Sequence, residues 1–170
     1  LRAGLVDDLL ADVPTVDLAV ADVLLPRENG GLMDQGWSPK CLPEPAGNAQ
    51  WGVLKTTAVQ WGRFLPQENK ALPETLAPRP RLQVEVGDLL VTRAGPRSRC
   101  GVVALVRDVP ERLMLCDKMY RMTPNPDLVM PEVLEALLGS DDARLRIETL
   151  MTGISDSGLN LTQSRFLSMK

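Results

Sequence analysis

Residues 82–122 read LQVEVGDLLVTRAGPRSRCGVVALVRDVPERLMLCDKMYRM, and this stretch decides the fold. Apolar and polar residues alternate from Leu82 to Val86, which is the period of a half-buried strand. Four more apolar, β-prone runs follow between turn-forming residues, at 89–92, 102–106, 113–116 and 119–122. We therefore predict a curled β-meander with an arginine-rich loop, residues 93–101, at one end.

The flanking sequence predicts few helices. Pro131 suits the first turn of a helix that ends at Gly139, and Ser140 or Asp141 can cap a second helix through Met151. A short helical turn is predicted at 162–166, and the alternation of apolar residues at 16–20 favours a strand. The fold class is therefore α/β of the α+β type, a twisted mixed β-sheet or meander with a few peripheral helices.

Residues 26–51 are rich in Gly, Pro and Asn, which predicts a long ordered loop. Trp37 and Trp51 lie in this loop. Their rings either pack against the core and hold the loop in place, or stack on a nucleic acid base. The sequence leaves both roles open.

The composition limits the class of protein. A chain of 170 residues that is 44% hydrophobic can bury a core as one domain. No apolar run approaches the length of a membrane span and no charged-then-apolar leader opens the chain, so a cytoplasmic protein is expected. Three widely spaced cysteines suit reduced thiols, and the absence of histidine argues against zinc fingers, Ser-His-Asp triads and Cys-His nucleophile pairs.

The formal net charge of −3 hides an uneven distribution. Residues 52–121 carry twelve basic and seven acidic side chains, a net +5, whereas residues 1–37 carry two basic and seven acidic, a net −5. A basic central segment favours a nucleic acid partner, although a solvated charge bias without any partner gives the same pattern.

Catalytic motifs are weak. Glu68-Asn69-Lys70 is an E-x-K triplet of the kind found in metal-dependent nucleases, but the required Asp88 follows it instead of preceding it. No Gly-Lys-Ser/Thr follows the glycines of the arginine-rich loop, as a phosphate-binding loop needs. Asn125-Pro126-Asp127 lacks the second proline and the aromatic residue with which amino-methylating enzymes hold a flipped base. We predict no catalytic residue and no metal site.

The basic residues are better candidates as DNA ligands. Arg97 and Arg99, on a rigid loop, could donate to guanine O6 and N7 or to phosphates. In the alternative interpretation they are solvated, or paired with Asp88, Asp108 or Asp117. The predicted DNA-binding residues are Lys55, Thr56, Arg63, Arg93, Arg97, Arg99, Lys118 and Arg121.

Six segments together resemble the target recognition domain of the DNA specificity subunit of type I restriction-modification systems. They are GWSPKC at 36–41, WGVLKTTAV at 51–59, ENKAL at 68–72, VGDLLVTRAGPRSRCGVVALV at 86–106, LMLCDKMYRM at 113–122 and GISDSGLNLTQSRFL at 153–167. The resemblance implies that residues 1–13 are the tail of a spacer helix and that residues 14–170 are the recognition domain. It also implies a non-catalytic role.

Double-stranded DNA, modification (methyltransferase) subunits and restriction (translocase and nuclease) subunits are the partners that this resemblance implies, and no membrane partner is expected. S-adenosylmethionine, ATP and Mg²⁺ would belong to those partner subunits, so no cofactor is expected on this chain. Its single recognition domain suggests either part of a subunit or a half-subunit that dimerises. A protein-interaction module without DNA binding, or a metal-dependent nuclease, remains the alternative.

Overall fold

A computed structural model of the chain describes residues 16–170. The helix predicted at residues 1–13 lies outside the described part. The strands are β1 (Met33–Gln35), β2 (Gly52–Leu54), β3 (Val59–Gln60), β4 (Arg63–Phe64), β5 (Asn69–Ala71), β6 (Leu89–Thr92), β7 (Ala94–Gly95), β8 (Val103–Leu105), β9 (Leu113–Met114), β10 (Met119–Met122) and β11 (Leu159–Asn160). The helices are α1 (Pro131–Leu138), α2 (Asp141–Leu150) and α3 (Gln163–Leu167).

The strands form two main sheets and two small ribbons. The larger sheet has the order β1-β10-β6-β8 and is antiparallel throughout. The second has the order β5-β2-β9, with β2 and β9 parallel and β2 and β5 antiparallel. The ribbons are the β3–β4 hairpin and the β7–β11 pair. The predicted α+β class with mixed sheets is confirmed.

The predicted meander is wrong in its connectivity. After the β6–β8 hairpin the chain leaves for the second sheet as β9, and it then returns as β10 on the other side of β6. Residues 82–86 are not a strand either, because Pro80–Leu82 forms a 3-10 turn and only Gln83 makes an isolated bridge, to Met114. The strand predicted at 16–20 is replaced by a 3-10 turn, Val20–Val23.

Both faces of the larger sheet are buried. Successive side chains of a strand point to opposite faces, so Leu89 and Val91 enter one hydrophobic cluster while Leu90 enters the other. The first cluster includes side chains of α1, α2 and α3, and the second includes side chains of β2 and β9. This double burial explains the continuous apolar runs, since a sheet covered on both faces does not need alternation.

The long loop is ordered by packing. Trp37 and Trp51 are half-buried against the second cluster, and the Arg79 guanidinium lies 4.0 Å from the centre of the Trp37 ring. Residues 33–35 of the loop add β1 to the edge of the larger sheet, which the composition did not predict. Both tryptophans therefore pack against the core, which is one of the two roles that the sequence left open.

The helices match their predicted boundaries closely. Pro131 begins α1, and Ser140 caps α2, where its Oγ accepts a hydrogen bond from the Ala143 N–H at 3.2 Å.

Three free cysteines are present, two of them buried. Across residues 16–170, no helix combines the length and the hydropathy that spanning a bilayer requires.

Replacing Ser140 with alanine should lower the free energy of unfolding by about 1 kcal/mol, because the Ala143 N–H then loses its partner. Urea denaturation followed by circular dichroism measures the loss. Ser157→Ala is the matched control: its hydroxyl is exposed and, within the described residues 16–170, its side chain hydrogen-bonds to Ser155 alone, so a change within about 0.5 kcal/mol is expected. Equal losses in the two variants would show that the cap contributes nothing.

Candidate nucleic-acid interface

The arginine-rich loop is bound to the rest of the protein. Arg97 Nη2 lies 2.8 Å from Asp156 Oδ1 and its Nη1 lies 3.7 Å from Glu148. The hydrogen bond and the charge of Asp156 raise the pKa of Arg97. Arg144 of α2 also donates to the loop carbonyls of Arg97 and Cys100. Arg97 therefore pairs with acidic residues, as in the alternative interpretation. Its partners are Asp156 and Glu148, which are not among the three aspartates named there.

Arg99 turns inward and binds the segment that leads into the β3–β4 hairpin. Its Nη1 donates to Gln60 Oε1 at 3.0 Å, and its Nη2 donates to the carbonyls of Thr56 and of Val59, the latter at 2.7 Å. Burial lowers the pKa of Arg99. All three acceptors lie in residues 56–60, so this guanidinium holds the β3–β4 hairpin against the arginine-rich loop.

Arg93 is also committed within the protein. It donates to the Asp117 carbonyl at 3.2 Å and to Asn160 Oδ1 at 3.4 Å, and it lies 5.4 Å from the centre of the Tyr120 ring. These contacts join β6 to β11 and to the turn between β9 and β10. Arg93 thus supports the turn from which Asp117 and Lys118 project.

Arg121 does not belong to an exposed basic face, because only 4% of its side chain is accessible. Its Nη2 lies 2.8 Å from Asp34 Oδ2 and its Nη1 lies 3.6 Å from Asp88 Oδ2. The carbonyls of Arg81 and Gln83 accept further hydrogen bonds from it. β10 is buried along its whole length, so the one charged residue in it requires internal partners.

The two carboxylates of this cluster have pKa values that are shifted in opposite directions. Burial alone would raise the pKa of Asp34, but hydrogen bonds and charges from Arg121 and Arg27 hold it below its ordinary value of 3.8. Burial raises the pKa of Asp88, which is more deeply enclosed, despite the Glu85 N–H and the same two arginines. Arg27 completes the cluster, with its Nε 2.6 Å from Asp34.

A groove of about 500 Å³ opens between the second sheet, the loop at 38–41 and the turn at 116–118. Four of the five lysines in the chain line it: Lys40, Lys55, Lys70 and Lys118, whereas Lys170 is the fifth. Asp117 is the single acidic residue in its lining, so the lining carries a net charge of +3. Such a concave concentration of positive charge attracts polyanions.

Two thiols lie in the same groove without reducing its charge. Burial raises the pKa of Cys116 to about 11, and it also raises the pKa of Cys41, which the charge of Lys70 partly offsets. Both thiols are therefore protonated and neutral near pH 7. The electrostatic character of the groove is set by its lysines.

Lys55 is the one lysine of this groove with an ion pair among residues 16–170. Its Nζ lies 2.8 Å from Glu68 Oε2, and Thr57 Oγ1 donates to the same oxygen at 2.6 Å. These hydrogen bonds lower the pKa of Glu68. The E-x-K triplet thus places Glu68 in an ion pair and Lys70 in the groove, and the described residues hold no group of three metal-ligating side chains.

Lys55, Thr56 and Lys118 are the predicted site residues that meet in the groove. Arg63 is exposed in β4, away from its lining, and the remaining four predicted arginines are engaged as described above. Sequence reasoning missed Lys40 and Lys70. Both lie inside segments that carried the family resemblance, GWSPKC and ENKAL. A lysine within such a segment was the signal that could have identified them as candidates.

A comparison with curated proteins gives one clear relative. The chain is 42% identical over 137 residues, 80% of its length, to a protein of Escherichia coli described as the type I restriction enzyme EcoEI specificity subunit. The chain spans 23% of the length of that relative. No model of a protein family matches the chain.

Among solved structures, the chain is similar to the S subunit of a type I restriction-modification system from M. genitalium. The TM-score is 0.52 at 13% sequence identity, and the match covers 89% of this chain and 32% of that one. At this level of identity the likeness concerns the fold.

Proposed function

Because the chain belongs to the family of type I restriction specificity subunits, we propose that residues 14–170 form a DNA target recognition domain that binds duplex DNA through the lysine-lined groove. The domain is non-catalytic in this proposal. It directs adenine methylation by modification subunits and cleavage by restriction subunits, and those partners carry S-adenosylmethionine, ATP and Mg²⁺.

The observation that supports this proposal most strongly is the convergence of four of five lysines on one groove. Lysine is a strongly hydrated point charge on a flexible stem, which suits phosphates whose positions vary with DNA sequence. Neutralising phosphates releases condensed counterions and provides most of the affinity for DNA. The groove provides that affinity, while side chains on rigid turns at its edge reach the bases.

The arginines have a different part in this proposal. Arg93, Arg97, Arg99 and Arg121 hold turns and hairpins in place. Thr56 in the groove, and the exposed Arg63 outside its lining, are further contacts to the backbone of the DNA in this proposal. A fixed framework is what sequence recognition needs, because a base edge is distinguished only by donors and acceptors held in a set geometry.

Lys40→Ala, Lys70→Ala and Lys118→Ala, combined in one variant, should weaken DNA binding and reduce the salt dependence. Each lost phosphate contact lowers the slope of log K against log salt by roughly one. The measurement is fluorescence anisotropy of a labelled target duplex at several salt concentrations, with the protein assembled with modification subunits.

Lys170→Ala is the matched control, since Lys170 is an exposed lysine outside the groove. Its slope should equal that of the wild type. If the triple variant and the control show the same slope, the groove is not the DNA interface. If the wild-type assembly shows no salt-dependent binding at all, the chain is a protein-interaction module. Magnesium-dependent cleavage abolished by Glu68→Gln would instead indicate a nuclease.

A further inference from the structure

The turn between β9 and β10 places an acidic and a basic side chain next to each other at the edge of the groove. The Met119 N–H donates to the Cys116 carbonyl at 3.2 Å, which closes the turn, and Arg93 donates to the Asp117 carbonyl at 3.2 Å. Both Asp117 and Lys118 line the groove. Hydrogen bonds to two of its carbonyls therefore fix the backbone of the turn, and its two central residues line the space that DNA would occupy.

The carboxylate of Asp117 is held in position by a neutral partner. Ser38 Oγ donates to Asp117 Oδ1 at 2.5 Å, and the Asp117 N–H donates back to Ser38 Oγ at 3.2 Å. No lysine or arginine of residues 16–170 forms an ion pair with Asp117, although four lysines line the same groove. Its second oxygen, Oδ2, accepts no hydrogen bond from the described part of the chain and is left available as an acceptor.

A carboxylate on a phosphate-binding surface is unfavourable, because it repels the phosphates that the lysines attract. A fixed acceptor becomes favourable where a donor of the DNA meets it. In the major groove the cytosine N4 amine is such a donor, and carboxylates accept from it, whereas lysine donates to O6 and N7 of guanine. Adjacent Asp and Lys side chains therefore match the two partners of one G·C base pair.

We propose that Asp117 and Lys118 recognise one G·C base pair of the target through the major groove, with Asp117 accepting a hydrogen bond from cytosine N4 and Lys118 donating to guanine N7. This inference rests on the proposed function, since it requires duplex DNA in the groove. Ser38 is a positioning residue in this arrangement, because its hydroxyl orients the carboxylate of Asp117.

Selection from a pool of randomised duplexes tests the proposal, with the protein assembled with modification subunits. At one position the wild type should select C over the other bases, and Asp117→Asn should reduce that preference about tenfold while the preferences elsewhere are kept. Asparagine retains the acceptor for Ser38, so the turn should stay folded. Lys40→Ala is the control and should weaken binding to all sequences alike.

A second measurement uses DNA in which 7-deazaguanine replaces guanine at that position. Loss of N7 should weaken binding of the wild type about fivefold, while Lys118→Ala should bind both duplexes equally. Unchanged preferences in Asp117→Asn, or a uniform gain in its affinity for every duplex, would overturn the inference and leave DNA binding intact. A wild type that binds no duplex would instead refute the proposed function.

Discussion

Replacing Arg121 with alanine is expected to lower the free energy of unfolding by about 3 to 5 kcal/mol, the usual cost of removing one partner from a buried ion pair. The substitution leaves the two buried carboxylates of Asp34 and Asp88 with one arginine, Arg27, in place of two. It also leaves the carbonyls of Arg81 and Gln83 without their donor. Urea denaturation at pH 7 measures the effect. Arg63→Ala, which removes an exposed arginine, is the control and should change stability by less than about 0.5 kcal/mol.

The loss in free energy of unfolding caused by Arg121→Ala should be smaller at acidic pH. The pKa of Asp34 is held below its ordinary value of 3.8 in the wild type, so its ion pairs stabilise the fold above that pH. This stabilisation is lost as the pH falls from about 4 through the lower folded-state pKa, where a protonated carboxyl needs no cation. A loss under about 1 kcal/mol at pH 7, or one that does not change with pH, would mean that the cluster does not stabilise the fold.

Gly36→Ala is the second substitution with a large expected effect, a loss of about 3 kcal/mol. A Cβ at this position would lie 2.1 Å from the Leu115 carbonyl oxygen and 2.4 Å from the Cys116 carbonyl oxygen. Both are backbone atoms, which cannot rotate away as a side chain can. The next residue, Trp37, donates its N–H to Leu115 at 3.0 Å, so the clash would separate two segments that are hydrogen-bonded to each other.

Gly47→Ala provides the comparison for Gly36→Ala. A Cβ at Gly47 would meet no atom within 4 Å, and the residue needs no positive φ. Its stability should be equal to or slightly above that of the wild type, because alanine restricts the unfolded chain. Thermal unfolding of the two variants checks both expectations. Similar melting temperatures for them would refute the close approach of residues 36 and 115.

The consequence for function follows from the position of Gly36. The segment that it presses against leads directly into the turn of Asp117 and Lys118. A residue larger than glycine would push that turn away from the groove, so Gly36→Ala should also weaken selection of the target sequence. Arginines and glycines thus build the framework in this domain, and lysines on its surface provide the proposed affinity for DNA.

The sequence by itself determined the local elements. The apolar runs at 89–92, 102–106 and 119–122 became β6, β8 and β10, and Pro131, Gly139 and Ser140 set the ends of the helices. These features depend on neighbouring residues, through side-chain period, the fixed φ of proline and the hydrogen bonds of a cap. The family resemblance also came from the sequence, because it lay in six contiguous segments.

Only the tertiary structure decided which basic residues are free to meet DNA. The arginine-rich loop suggested donors to DNA, but Asp156, Gln60 and Asp34, far away in the chain, take up the charge or the hydrogen bonds of Arg97, Arg99 and Arg121. Lys55, Lys70 and Lys118 come together because β2 pairs with β5 on one side and β9 on the other. The loop of Lys40 joins them because Ser38 is hydrogen-bonded to Asp117 and the Leu42 N–H donates to the Ala71 carbonyl. These contacts connect segments that are far apart in the chain, and nothing in the local sequence encodes them.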